Sequence, residues 1–142
     1  MPTFRVVADN STVVSGLLWR GPSERVLRAA RDATIELIAS RDLFVELEGA
    51  LSTADTRARL REAALSVPAL LQTYRSMVTL IEPASVSRSA LRDAKDLIVL
   101  AAAVGGQADI VVTGDKDLLI LKTHELSAIL TPVHLLYALG RT

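Results

Sequence analysis

The stretch from Asp93 to Leu119, DAKDLIVLAAAVGGQADIVVTGDKDLL, leaves few folds open, because a carboxylate-capped helix runs directly into a β-branched strand that ends in more carboxylates. Asp93 precedes an apolar-periodic run (Leu97, Leu100, Ala101, Val104) and reads as an N-cap. Asp96 falls in the first turn, where an acidic side chain suits the positive helix end. Gly105 and Gly106 are expected to stop this helix. Ile110-Val111-Val112 is a short strand, and Thr113-Gly114-Asp115-Lys116-Asp117 is the polar turn at its carboxyl end. In open α/β sheets ligands bind at that edge. The N-terminus repeats the device: Phe4 to Ala8 is a nearly continuous apolar strand, suited to burial on both faces of a parallel sheet, and it ends in Asp9-Asn10-Ser11. Two strands thus bring an aspartate to the same edge.

Each acid has a bland explanation when taken singly. Asp93 and Asp96 can be a capping pair, and Gly-Asp-Lys-Asp an ordinary turn whose side chains bond their own backbone. Repetition at a second strand end tips the balance toward a site.

Between these two strand ends the chain alternates strand and helix patterns. Asn10 and Ser11 open a helix reaching Leu18, and Trp19-Arg20-Gly21-Pro22 is a break in which Trp19 is expected to pack against the loop in preference to serving as a base-stacking platform. Ser23 then caps a helix carrying Val26, Leu27 and Ala30. Thr34 to Ala39 is a second strand, and Ser40 caps a helix from Arg41 to Leu51 whose apolar stripe is Leu43, Leu47, Ala50 and Leu51. Glu46 and Glu48 fall on opposite borders of that stripe, and periodicity does not choose between them. Thr53 to Met77 reads as a helical hairpin with Leu60, Leu65, Leu70 and Leu71 on one side, equally suited to core and to a partner or dimer surface. Val78 to Ile81 is a third strand, Ser85 to Ser89 a polar loop, Ala128 to Leu130 an edge strand, and Thr131-Pro132 the start of a last helix through Leu139. Alternation of this kind predicts an α/β fold: one domain spanning residues 1–142, a three-layer α/β/α sandwich with a mostly parallel central sheet.

Composition narrows the chemistry. The 142 residues are half apolar, enough for one core without staples. There is no cysteine, and the two histidines, His124 and His134, match no zinc spacing, so a metal would be a hard, oxygen-bound one. The longest nearly uncharged run, Leu97 to Ala108, falls short of the roughly 20 apolar residues of a membrane span, and no leader pattern opens the chain; a cytoplasmic protein without a membrane role is expected. Sixteen charges of each sign cancel, so there is no global field for nucleic acid. The positive side chains are mostly arginine, which suits forked phosphate contacts.

If Asp9, Glu46, Asp96 and Asp115 converge, they cannot do so uncompensated: two unit charges about 4 Å apart repel by roughly 4 kcal/mol at an effective dielectric of 20. Protons or a cation must be present. An all-oxygen site with spare positions suits Mg²⁺ or Mn²⁺, which bind through a few carboxylates plus substrate phosphates. The chemistry that uses such a site is metal-assisted phosphodiester hydrolysis. Asn10, Thr113, Lys116 and Asp117 would support the ligands or orient substrate.

In this arrangement the chain resembles the PIN domains, and among them the ribonuclease toxins of bacterial type II toxin-antitoxin pairs (VapC-like). VVADNSTVVSGLL resembles the family's opening strand with its aspartate, VELEGAL the helix with the second acid, DAKDLIVLAAAV the third and VTGDKDLLIL the fourth, in the family's order and over nearly the whole chain. The resemblance implies that Asp9, Glu46, Asp96 and Asp115 are catalytic and bind Mg²⁺ or Mn²⁺. It favours Glu46 over Glu48 because the family shows an acid followed by leucine there. It makes Asp93 and Asp117 accessory acids and Thr113 a small hydroxyl residue beside the fourth acid. An RNA substrate, a cognate antitoxin protein and a homo-oligomer are implied with it. The TGDKDLL form and the long paired helices depart from the shorter VapC-type toxins, which often carry asparagine where this chain has Asp115.

Other classes fit less well. A receiver-type phosphoacceptor usually shows an acidic pair after its first strand, where this chain has Asp9-Asn10, and a haloacid-type phosphatase wants a second aspartate where Ser11 stands. A PIN-like module that only binds protein has the same acids, and metal-dependent cleavage is what separates it from a nuclease.

Overall fold

The computed structural model describes residues 3–86 and 93–140. The strands are β1 (Phe4–Ala8), β2 (Ile35–Ala39), β3 (Val78–Leu80), β4 (Ile110–Val112), β5 (Thr123–His124) and β6 (Ser127–Leu130). The helices are α1 (Asn10–Leu18), α2 (Pro22–Arg31), α3 (Arg41–Leu51), α4 (Ala54–Glu62), α5 (Val67–Met77), α6 (Ala94–Gly105), α7 (Lys116–Leu119) and α8 (Pro132–Ala138). The strands form one sheet in the order β3-β2-β1-β4-β6-β5. Every pairing is parallel except β5 with β6. Val6-Val7-Ala8, Leu37-Ile38-Ala39 and Ile110-Val111-Val112 are buried at consecutive positions. Side chains alternate between the two faces of a strand, so both faces of the sheet are covered, which makes the α/β/α sandwich.

The strand order carries the functional consequence. From β1 the chain steps outward through β2 to β3, then returns past β1 to place β4 on its other side. β1 and β4 are therefore the strands between which the winding reverses, and the crevice at their carboxyl ends is where doubly wound sheets bind ligands. Ala8 pairs with Val112 in register, and the ladder runs one step further through the Asp9 amide to the Val112 carbonyl, 3.1 Å. The next residue on each strand, Asp9 and Thr113, thus emerges at the same level.

Local chemistry explains most element boundaries. Side-chain oxygens cap α1, α3, α4, α5, α6, α7 and α8 from Asp9, Ser40, Thr53, Ser66, Asp93, Asp115 and Thr131. The structure differs from expectation in five places. α2 begins at Pro22 with Gly21 as its cap and not Ser23, because Gly21 sits at φ +143°, a conformation glycine tolerates, and proline is already set for the first helical position. The turn after β4 continues as α7 once Asp115 caps it. β6 is not at the edge, since the two-residue β5 folds back on it antiparallel. Leu60 and Leu70 are buried in the α4–α5 hairpin, but Leu65, in the link between them, is exposed. Finally, α6 includes Gly105, with Gly106 as its cap. Of the polar stretch expected at Ser85 to Ser89, Ser85 has no regular structure and residues 87–89 lie outside the described residues. No helix among the described residues is long and apolar enough to cross a membrane.

Candidate functional site

A cavity of about 750 Å³ opens at the carboxyl ends of β1 and β4, walled by α1, α3 and the first turn of α6. Asp9, Asn10, Glu46, Asp93, Asp96 and Asp115 all line it. Glu48 does not; it lies exposed on the far border of α3, so the choice that periodicity left open is made by how α3 packs against α1.

Asp9 and Asp96 are buried, although carboxylates rarely are without partners. Asp9 has partners on both oxygens: Oδ1 accepts from the Thr12 amide at 2.9 Å as the α1 cap, and Oδ2 accepts from the Thr113 hydroxyl. Fully buried Thr113 also accepts from the Asp115 amide through the same Oγ1, 2.9 Å, so one hydroxyl bridges the ends of β1 and β4. Asp115 in turn caps α7, its Oδ1 accepting from the Asp117 amide at 2.8 Å. Asn10 ties α1 to α3, donating from Nδ2 to the Leu43 carbonyl at 3.0 Å and to Glu46 Oε1 at 3.4 Å. Asp93 caps α6 through the Lys95 amide, 2.9 Å.

Asp96 is the exception to this economy. Its Oδ2 is buried and no group among the described residues donates to it. Burial first, then the charge of Asp115, a carboxyl close enough to share a proton, and lastly Asp93 and Asp117, together raise its pKa to about 6. Carboxylate oxygens of Asp96, Asp115 and Asp117 lie within 4.8 Å of one another. Such a set must be compensated by a proton or a cation. Three converging carboxylates, one of them with an orphaned buried oxygen, in a chain without cysteine, are a donor set that fits a hard divalent cation such as Mg²⁺ or Mn²⁺. Asp117, expected as an accessory acid, thus stands in the tightest group, while Asp9 and Glu46 line the same cavity outside it. Burial also raises the Glu46 pKa; Lys95 and the Asn10 hydrogen bond oppose that shift, and Asp93 and Asp42 add to it.

Two residues of the cavity fall outside the site expected from the sequence. Lys95 lines it as a cation amid the acids, and no spacing marked it among the exposed positions of α6. Trp19, expected to pack against the loop, also lines it and is 47% exposed. A signal was available, since Ser11, Ser15 and Trp19 recur at four-residue spacing and all three face the cavity. Lys116, by contrast, is exposed on α7 outside the cavity lining.

Comparison with known proteins agrees with this architecture. No curated protein matches the sequence. Among solved structures, the fold is similar to that of a chain in VapBC2 from Rickettsia felis, which was solved bound to a DNA fragment from their promoter. The TM-score is 0.57 at 12% identity, covering 88% of this chain and 96% of that one. A family model described as PIN domain matches residues 5–117, which takes in β1, β4 and every acid of the cavity. With the sheet order, the switch-point cavity and that match in agreement, this chain belongs to the PIN domain family.

Proposed function

We propose that the protein is a Mg²⁺- or Mn²⁺-dependent endoribonuclease acting in the cytoplasm, the toxin of a toxin-antitoxin pair, with Asp9, Glu46, Asp96 and Asp115 as its catalytic acids. The observation that carries this reading is the unpartnered buried oxygen of Asp96, a residue whose carboxylate converges with those of Asp115 and Asp117 within 4.8 Å at the switch point. Asp96 and Asp115 would hold the metal directly, with Asp117 beside them. Asp9, whose oxygens keep one lone pair each after bonding Thr12 and Thr113, would complete the set. The chemistry that a divalent ion held by these residues would supply is polarisation of a phosphodiester and a nucleophile at neutral pH. The chain's own residues do the rest. Thr113 locks Asp9 and Asp115 at one level, Asn10 aims Glu46 into the cavity, and Lys95 supplies a positive charge for a phosphate oxygen.

Mixed RNA and single-stranded DNA incubated with the purified protein test this directly. RNA should be cut only when Mg²⁺ or Mn²⁺ is present, and Asp96→Asn should lose both cleavage and Mn²⁺ binding in calorimetry. Unchanged Mn²⁺ affinity in that variant would remove Asp96 from the ligand set, and no cleavage under any metal would leave a protein-binding PIN module.

The same uncompensated charge supports a partner reading. An antitoxin segment lying across the cavity mouth would place one basic side chain among the acids and offset their charge in place of the metal. The binding titration is made with the product of a neighbouring small open reading frame, and affinity should fall as Mg²⁺ is added. Binding indifferent to Mg²⁺ and to Asp9→Asn would move the partner to the α4–α5 hairpin.

A further inference from the structure

The proposed reading accounts for the floor of the cavity and leaves its rim unexplained. At the end of α1 stands Trp19, the chain's only tryptophan, lining the same cavity as the acids while 47% of its surface faces solvent. An indole in that position normally buries its large apolar face. Here it is held in place instead. Its amide closes α1 by donating to the Ser15 carbonyl at 3.0 Å. The Arg59 guanidinium lies 5.8 Å from the ring centroid, within cation–π range. Arg59 is itself fixed, since its Nε donates to the Leu18 carbonyl at 3.1 Å, one residue before the tryptophan. The α4 helix therefore props one side of the indole, and the backbone that carries the ring anchors the prop.

We infer that Trp19, braced by Arg59, is a stacking platform for one unpaired base of a single-stranded nucleic acid whose backbone runs to the acidic floor of the cavity. This rests on the nuclease reading of that floor and adds to it the substrate's strandedness and a contact remote from the cut. Every base has a π face, so a rigid aromatic beside a cation binds single strands with little regard for sequence, and a duplex, whose bases are already stacked, cannot use it. Distance supports a role away from the chemistry. α1 runs from its cap at Asp9 to Trp19, and ten steps at 1.5 Å each set the platform roughly 15 Å along the helix from Asp9. Trp19 thus binds a base flanking the scissile phosphate. Arg59, whose Nη1 also lies 3.8 Å from the exposed Glu62 carboxylate, keeps a guanidinium beside the ring in a chain that has no net charge to attract a polyanion.

Because Trp19 is the only tryptophan, its fluorescence reports on this position alone. The probe is a short single-stranded RNA of mixed sequence, titrated into the wild-type protein with Ca²⁺ in place of Mg²⁺ to offset the acids while keeping turnover slow. Emission should be quenched saturably by the single strand and not by the same RNA annealed to its complement. By anisotropy of the labelled strand, Trp19→Ala should weaken binding about tenfold and Trp19→Phe should recover most of the loss. RNA that binds with unchanged Trp19 emission and equal affinity for Trp19→Ala would overturn the platform while leaving the nuclease reading to stand on metal-dependent cleavage. Equal quenching by single strand and duplex would also overturn it. A response only to a protein partner would assign Trp19 to a protein interface instead. Absence of both RNA binding and cleavage would overturn the platform together with the nuclease reading beneath it.

Discussion

At the scale of single residues the cavity is a balance between local capping and charge crowding. Asp9, Asp93 and Asp115 each cap a helix, so a capping role and the proposed site role fall on the same side chains. Asp96 does not cap, and its pKa of about 6 follows from burial first and from Asp115 second. The folded protein therefore keeps a proton that the unfolded chain releases at ordinary carboxylate pH. The cost of ionising Asp96 is absent below the ordinary carboxyl value of 3.8, grows as pH rises from there to about 6, and is constant above that. Metal-free wild-type protein should accordingly lose stability relative to Asp96→Asn between about pH 4 and pH 6, read as diverging urea midpoints. Mn²⁺ affinity should rise over the same interval, because binding must displace the proton. Parallel midpoints across that range would contradict the shift.

At the scale of elements, α6 shows how a packing demand can resemble a stop signal. Gly105 and Gly106 lie at the end of α6 with ordinary helical or bridge dihedrals, and the left-handed residue is Gln107, at φ 54°. Glycine is required for space: a Cβ on Gly105 would strike the backbone of Glu82 to Ala84, the segment whose Ala84 amide bonds the Ala101 carbonyl at 3.0 Å. Gly105→Ala should thus cost about 1–3 kcal/mol, the range of overpacked cores. Gly49→Ala, in α3 with nothing within 4 Å of the added Cβ, should gain roughly 0.5–1 kcal/mol from helix propensity. Chemical denaturation of the two variants separates the explanations, since a purely conformational role for Gly105 predicts a gain in both.

At the scale of the whole molecule, the sheet gathers negative charge at one edge of a chain whose net charge is zero. Folding without metal works against that repulsion, and any cation that binds only the folded state adds stability by mass action. Asp115→Asn removes one charge while leaving a side chain that caps α7 equally well, since asparagine is as good an N-cap as aspartate. The variant should melt higher than wild type without metal, and the extra stabilisation expected of wild type on adding Mg²⁺ should be missing from it. A neutral or destabilised variant that still responds to Mg²⁺ would make Asp115 a turn residue only.

Much of this was determined by the sequence alone, wherever the cause is local. Apolar runs, caps and the proline at helix starts mark most strands and helices, and two strands ending in acids point to the edge where the site lies. Tertiary structure decided what depends on partners distant in the chain. It selected Glu46 over Glu48 by packing α3 against α1, joined Asp9 to Asp115 through the Thr113 hydroxyl, and drew Asp117 into the closest acid group through the short α7. It also turned Trp19 toward the cavity, and it put β5 outside β6, where two residues are too short to show an alternating pattern. Caps and periodicity act over a few residues and are written where they act. Burial, charge crowding and the choice of sheet neighbour exist only once segments a hundred residues apart, such as those of Asp9 and Thr113, have met.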